Sequence, residues 1–373
     1  MSSDTMRRTA TRAHCHDSSR HRSPSVTALL AAFVFTLLVP ATAYAGGFNT
    51  PGNLLIADEL NNRVIELNDS GRIVWHFGTG APLPGARTIV APQAAKRYWY
   101  GGRTLIVCAG VPAGTPGYPA EGVIDNRVLL VNRYGKILWQ YGKAGVAGAG
   151  PGQLDHPVDA TWAPNDHILI VDQGNQRVIE VTMKKRIVWQ YGTTGAAGAG
   201  ANQLHDPAGV AWLYNGRILI ADAGNDRVVE VTRAKRVYWQ YGEPGVLSIL
   251  DGPSSAYLLP SGRYLITDSG NSRAVEVTRT KNVTWTYATS ARVGSVARPL
   301  PVQACRLRNG NTVISDGLNQ QVIEVARDGM MLWSYGTLGV PGIQWGQLNG
   351  PRRVGVVPKI SVSSSPLRPH GSG

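Results

Sequence analysis

Residues Pro207–Gly242 read PAGVAWLYNGRILIADAGNDRVVEVTRAKRVYWQYG, and this stretch is one copy of a repeat. Its parts return in the same order as Ile168-Leu169-Ile170-Val171-Asp172, then Asn175-Gln176-Arg177-Val178-Ile179-Glu180-Val181, then Arg186-Ile187-Val188-Trp189-Gln190-Tyr191-Gly192. Further copies begin at Gly52, Tyr264 and Thr312, and a degenerate one runs from Thr104 to Gly142. Each copy reads as short strands. Ile218 to Ala221 is a continuous apolar run, as in a strand covered on both faces. The two runs after it, from Arg227 and Arg236, are rich in β-branched and aromatic residues. The Asp-x-Gly-Asn stretch after the first run suits a tight turn, because Gly and Asn tolerate positive φ. A fourth strand precedes these near Pro157 and Pro207. Four strands in a repeat of about 40–50 residues predict one propeller blade.

Six tryptophans count the blades: Trp75, Trp139, Trp189, Trp239, Trp285 and Trp333. An Asp stands 17 residues before the Trp in five copies, as Asp58, Asp172, Asp222, Asp268 and Asp316. In the second copy Cys108 takes that place, and a segment spanning Ala109 to Ile124 is inserted after it. The first copy starts at its second strand. A surplus first strand lies at the other end, in Pro351-Arg352-Arg353-Val354-Gly355-Val356-Val357. The expected fold is therefore an all-β, six-bladed propeller over residues 46–358, closed by a C-terminal strand that completes the N-terminal blade. Closure of this kind removes two exposed sheet edges.

The ends read differently. Arginines at 7, 8, 12, 20 and 22, an apolar run from Val26 to Val39, and Ala43-Tyr44-Ala45 predict an export signal over residues 1–45. The run is shorter than the roughly 20 residues of a membrane span, so no transmembrane span is expected after cleavage. Residues 359–373, rich in Ser and Pro, are expected to form a flexible tail. The protein would be secreted or associated with a bacterial envelope. Cys108 and Cys305 fall on blades that do not touch and are expected to be free thiols.

The order Pro-x-Gly-Val-Ala, Ile-Leu-Ile-Ala-Asp, Gly-Asn-Asp-Arg-Val, Trp-x-Tyr-Gly over Pro207–Gly242 resembles the NHL repeat family. The resemblance implies a β-propeller. That family includes interaction scaffolds, RNA binders and a few lyases and hydrolases, so the fold does not fix a function. The outer strands beginning Gly71-x-x-x-Trp75, Gly135-x-x-x-Trp139 and Gly329-x-x-x-Trp333 also resemble pyrroloquinoline-quinone propeller repeats. The count of six blades and the lack of a ligand set for a quinone with calcium depart from those, and no cofactor is expected.

Function should be sought where the copies differ. The repeated Asp and Arg are expected to bind local backbone or neighbouring blades, since a catalytic group is needed once. Two residues after the leading Pro of each first strand, the six copies read Ala94, Asp159, Gly209, Ser255, Gln303 and Arg353. Asp159, Ser255, Gln303 and Arg353 are candidates for a polar ligand site at one end of the axis. Tyr118, in the insertion, is a candidate contact on the face that carries the long inter-blade loops. His156 and His205 lack a third axial His, so no metal site is expected. No nucleophile elbow, zinc-protease helix or phosphate loop is present.

The chain carries a net charge of +13. The turns between third and fourth strands hold Arg72, Arg133, Lys136, Lys184, Lys185, Arg186, Arg233, Lys235, Arg236, Arg279, Lys281 and Arg327, against only Asp69 and Asp328. In a four-stranded blade these turns share one face. Lys184, Lys185, Arg186, Arg233, Lys235 and Arg236 are thus expected to attract an anionic envelope polymer or an acidic extracellular protein. Nucleic acid is excluded as a partner by export. The expected function is a monomeric, non-enzymatic binding propeller; a lyase or hydrolase with an axial polar site is the alternative.

Overall fold

The computed structural model describes residues 47–98 and 102–358; the segments expected to be an export signal and a flexible tail lie outside the described residues. Six four-stranded antiparallel sheets form the blades of an all-β propeller. Blade 1 is built from β1 (Leu54–Asp58), β2 (Arg63–Leu67), β3 (Ile73–Phe77) and the last strand, β24 (Pro351–Val356). Blade 2 contains β4 (Pro92–Tyr98), β5 (Arg103–Val111), β6 (Val123–Val131) and β7 (Ile137–Gly142). Blade 3 contains β8 (Pro157–Trp162), β9 (His167–Asp172), β10 (Arg177–Thr182) and β11 (Ile187–Tyr191). Blades 4, 5 and 6 follow the same order in β12 to β15 (207–242), β16 to β19 (253–288) and β20 to β23 (301–335). β24 pairs antiparallel with β1, Ile56 opposite Val354, so the expected closure is present.

The second strands are mostly apolar because blades cover them on both sides. Ile168, Leu169, Ile170 and Val171 are all fully buried. Core clusters span neighbouring blades: one joins Val107, Val128 and Trp139 of blade 2 to Ile168, Ile170 and Ile179 of blade 3. The tryptophans lock this packing. Trp75, Trp139, Trp189, Trp239 and Trp285 each donate the indole N–H to a backbone carbonyl in the next blade's outer turn, at 2.9–3.0 Å. Buried indole N–H groups need such a partner.

The repeated Asp ends the second strand and collects an unusual number of donors. In blade 4, Asp222 Oδ2 accepts from Asn225 Nδ2 (2.8 Å) and Arg227 Nε (2.7 Å), and Oδ1 accepts from the backbone N–H of His205 (2.8 Å). Asn225 and Arg227 then donate to the carbonyls of Gly198 and Ala199 in the incoming loop. Blades 1, 3 and 5 repeat this through Asp58, Asp172 and Asp268. The repeated Asp and Arg do bind local backbone. Blade 2, with Cys108 in place of the Asp, borrows a carboxylate from beside the insertion: Asp125 pairs with Arg127 and accepts from Val90 N–H. Blade 6 has Gln321 where the Arg should be, and Arg292 from the preceding loop pairs with Asp316 instead.

The turns between third and fourth strands have one residue in the left-handed region. It is Gly71, Gly135 and Gly329 in blades 1, 2 and 6, but Lys185 (φ 63°), Lys235 (φ 62°) and Lys281 (φ 71°) in blades 3, 4 and 5. A side chain there costs on the order of 1 kcal/mol relative to Gly. Lys185→Gly should therefore raise stability by about 0.5–1 kcal/mol, seen as a higher midpoint in denaturant unfolding with an unchanged slope.

Candidate functional site

First strands lie innermost, and their residues form rings about the axis. The ring two residues after each Pro is closed. Asp159, Ser255, Gln303 and Arg353 are all at most 3% exposed. Arg353, on blade 1, reaches across the axis: its guanidinium donates to the carbonyls of Ala208 on blade 4 and Ser254 on blade 5, the latter at 2.9 Å. Its Nη1 also approaches Gln303 Oε1 at 3.5 Å, and its Nε lies 3.9 Å from Asp159. Gln303 Nε2 donates to Val354 O (2.6 Å), and Ser255 Oγ pairs with Thr267 Oγ1 (2.8 Å). The structure thus gathers Asp159, Gln303 and Arg353 into one network, with Ser255 committed to its neighbour strand. A long side chain closes the channel at this level.

The next ring, four residues after each Pro, is Lys96, Thr161, Ala211, Tyr257, Cys305 and Gly355, and all six are partly exposed. It opens toward the face that carries the turns between third and fourth strands, because each first strand runs in that direction. Lys96 was not singled out by the sequence. Its Nζ donates to Asp159 Oδ1 at 2.8 Å while the side chain keeps 18% exposure. Burial pulls the Lys96 amine below its ordinary range, Arg353 adds to this, and Asp159 opposes it. Burial pushes the Asp159 carboxyl up, but Arg353, Lys96 and the Val210 N–H outweigh it, and it titrates below the usual carboxylate range. Burial also raises the Cys305 thiol. Both cysteines among the described residues are free, Cys108 buried and Cys305 half-buried. Among the described residues no group of three His, Cys, Asp or Glu is placed to hold a metal ion.

Tyr118 is not part of this cluster. It packs against the small apolar group of Val90, Ala91, Val111 and Val123, and its hydroxyl donates to Asn62 Oδ1 at 3.0 Å, tying the insertion to blade 1.

All twelve basic residues of the outer turns are exposed. Arg233 pairs with buried Glu180 and lies over Trp189 and Trp212; Arg327 pairs with Glu276 and lies over Trp285. The other ten, including Lys184, Lys185, Arg186, Lys235 and Arg236, have no carboxylate partner among the described residues. The strand glutamates are buried and paired: Glu180 with His167 and Arg233, Glu230 with Arg217 and Tyr264. The opposite face carries Glu121, Asp155, Asp206, Asp226, Glu243 and Asp251 in its loops. That face also exposes Arg87, Lys143 and Arg298, so what sets the turn face apart is its cluster of ten unpaired cations.

No family model matches the chain, and no curated protein matches it. Among solved structures, a protein of unknown function from Bacteroides caccae superposes with a TM-score of 0.56 at 15% identity, covering 82% of this chain and 98% of that one. A streptogramin B lyase (TM-score 0.47, 15% identity, 71% of this chain and 72% of that one) and a chain of a nidogen/laminin complex (0.48, 12%, 76% and 92%) are more distant. At these identities the likeness shows the propeller fold alone.

The sign of the Asp159 shift sets a pH test. A depressed carboxyl stabilises the fold above its unfolded pKa, and the contribution is lost as pH falls through the lower folded value. Asp159→Asn leaves Lys96 and Arg353 without their buried counter-charge and should cost about 3–5 kcal/mol at neutral pH. Urea unfolding across a pH series should show this gap narrowing only below the ordinary carboxylate range.

Proposed function

We propose that the protein is a non-catalytic binding propeller of an exported chain, and that its basic face docks on an anionic component of the cell envelope. The observation that carries this reading is the set of ten exposed, unpaired cations confined to one face. Lys185, Lys235 and Lys281 strengthen it. Each occupies a left-handed position that Gly fills in sister turns, so positive charge is kept there at a cost in backbone strain. Charges on one face sum into a field that orients the molecule and speeds encounter with a polyanion, and salt screens that field over about 8 Å at physiological ionic strength. The NHL-like repeats agree with an interaction role, since that family includes scaffolds.

Exposed apolar residues stand beside the same turns: Ile187 and Val188, Val237 and Tyr238, Met331 and Leu332. They lie on outermost strands whose edges are unpaired, and the neighbouring cations discourage edge-to-edge association. A second reading, chemistry on the axis, draws on Lys96 alone among the open-ring residues, where a partly exposed amine meets a buried carboxylate.

The test is cosedimentation with isolated envelopes at graded salt. Wild type should bind with an affinity that falls steeply as salt rises. A Lys184→Glu, Lys185→Glu, Lys235→Glu, Lys281→Glu variant should lose at least about tenfold in affinity at low salt. Arg233 is left intact because it holds Glu180 between blades 3 and 4. Salt-independent binding, or an unaffected variant, would overturn the proposal.

A further inference from the structure

The fourth strands of blades 2, 3 and 4 carry Gln140, Gln190 and Gln240 directly after the conserved position of the Trp in the repeat. Each amide donates to a glycine carbonyl two residues on, at Gly142, Gly192 and Gly242, at 2.7–2.9 Å. In blades 3 and 4 the amide oxygen also accepts from Nη1 of the hairpin arginine, Arg177 at 3.3 Å and Arg227 at 3.5 Å. The Gln thus closes the space between the fourth strand and the Arg fork. Blades 5 and 6 have Thr286 and Ser334 at this position.

Blade 1 has His76 there, and it is exposed. Arg63, the hairpin arginine of this blade, keeps Nε on Asp58 at 2.7 Å. Its two terminal nitrogens make only long bonds, to the carbonyls of Ile343 (3.2 Å) and Gln347 (3.3 Å), and each retains a second N–H. No Gln side chain accepts from them. A cavity of about 250 Å³ opens in its place, bordered by Arg63, Asn61 and His76 on one side and by Ile65, Ile73 and Ile343 on the other. A smaller cavity of about 40 Å³ adjoins it across His76 and is bordered by Arg87. Arg87 is exposed and has no carboxylate partner among the described residues, and no Asp or Glu borders either cavity. The loop that supplies Ile343 also exposes Trp345.

The spare N–H groups of Arg63 and the His76 ring on one wall and isoleucines on the other define a ligand with two ends. We propose that this seam cavity, between blades 6 and 1 on the loop face, binds a small amphipathic carboxylate. The carboxylate accepts hydrogen bonds from Arg63 and His76, with Arg87 adding charge. A short aliphatic body lies on Ile65, Ile73 and Ile343. The volume holds roughly eight water-sized groups at about 30 Å³ each, which fits a monocarboxylate of about six carbons and lies just under the usual range for small-molecule pockets. A guanidinium and an imidazole around one carboxylate give charge-assisted bonds, which outweigh neutral ones.

The full chain would be titrated with hexanoate, hexylamine and acetate by calorimetry or by ligand-observed NMR. Hexanoate should bind, hexylamine should not, and acetate should bind at least about tenfold more weakly because it leaves the isoleucines uncovered. His76→Gln installs the residue that blades 2 to 4 already accommodate, so it should fold normally, close the cavity and weaken hexanoate by about tenfold or more. Arg87→Ala, at an exposed position, should weaken hexanoate without touching the Asp58–Arg63 pair. Variants at Lys184 and Lys185, on the opposite face, should keep wild-type hexanoate affinity, which separates this site from envelope docking. Equal binding of hexylamine and hexanoate, undiminished binding by His76→Gln, or no binding of hexanoate at millimolar concentration would overturn the proposal.

Discussion

A buried carboxylate where the second and third strands meet in each blade, at the end of the second strand in five of the six, is the constraint on which the rest of the ring depends. It sits where the hairpin, the incoming inter-blade loop and the start of the first strand meet, and it satisfies donors from all three. In blade 4 one Asp222 carboxylate takes Asn225, Arg227 and the His205 N–H. Losing one partner of such a group leaves an uncompensated buried charge, which is far costlier than replacing the whole pair. The exceptions show that the requirement is for the charge pair and not for a particular position. Cys108 removes the acid from blade 2, and Asp125 brings one in two residues before Arg127. Gln321 removes the base from blade 6, and Arg292 returns it from another segment.

The repeat was legible because its signals are local. Alternating apolar runs, turn residues and a Trp at near-constant spacing require no knowledge of distant contacts, and the blade count, the closing strand and the face assignment of the basic turns follow from them. The substitutes Asp125 and Arg292 were not legible, because each acts on a residue its own segment does not specify. The axis was legible only in part. Strand periodicity brought Asp159, Gln303 and Arg353 to one ring. It could not say that Arg353 is long enough to reach blades 4 and 5 and close that ring. The opening therefore lies one step further along each strand, where Lys96 stands in a column otherwise made of Thr, Ala, Tyr, Cys and Gly. A lone Lys in that column was a signal that the sequence contained. The broken column of Gln140, Gln190 and Gln240 at His76 was another.

The unpaired cations cluster on one face for a structural reason. The loop face holds carboxylates and arginines in pairs that anchor inter-blade loops, so most of its arginines are spent on geometry, with Arg87 and Lys143 left unpaired among the described residues. The turns between third and fourth strands need only a hydrogen-bonded reversal and a carbonyl for the neighbouring indole, both supplied by backbone. Thr182 and Arg186 close the turn with one backbone bond at 2.9 Å, and the carbonyl of Met183 receives Trp139. Side chains at 184–186 are thereby free of the fold. Arg233 and Arg327 are exceptions because a buried Glu of the preceding blade draws them in.

The seam is the one place where a blade is assembled from both ends of the chain, and this explains why its details diverge. In every other blade the incoming loop, the first strand and the second strand are continuous, and in blades 3 and 4 a Gln bridges the fourth strand to the Arg fork. Blade 1 takes its incoming loop and first strand from residues beyond 336, and Arg63 must find its carbonyls at Ile343 and Gln347, some 280 residues away in sequence. The loop leaving blade 1, from Gly78 to Ala91, is held by Asn62 and Asp125 rather than by a bridge at the fourth strand. With that bridge unnecessary, the position is released from its structural role. A half-apolar cavity beside a fixed guanidinium is the result, and a rigid, already paired Arg is better placed to recognise a carboxylate than a mobile surface one, because less side-chain freedom is lost on binding.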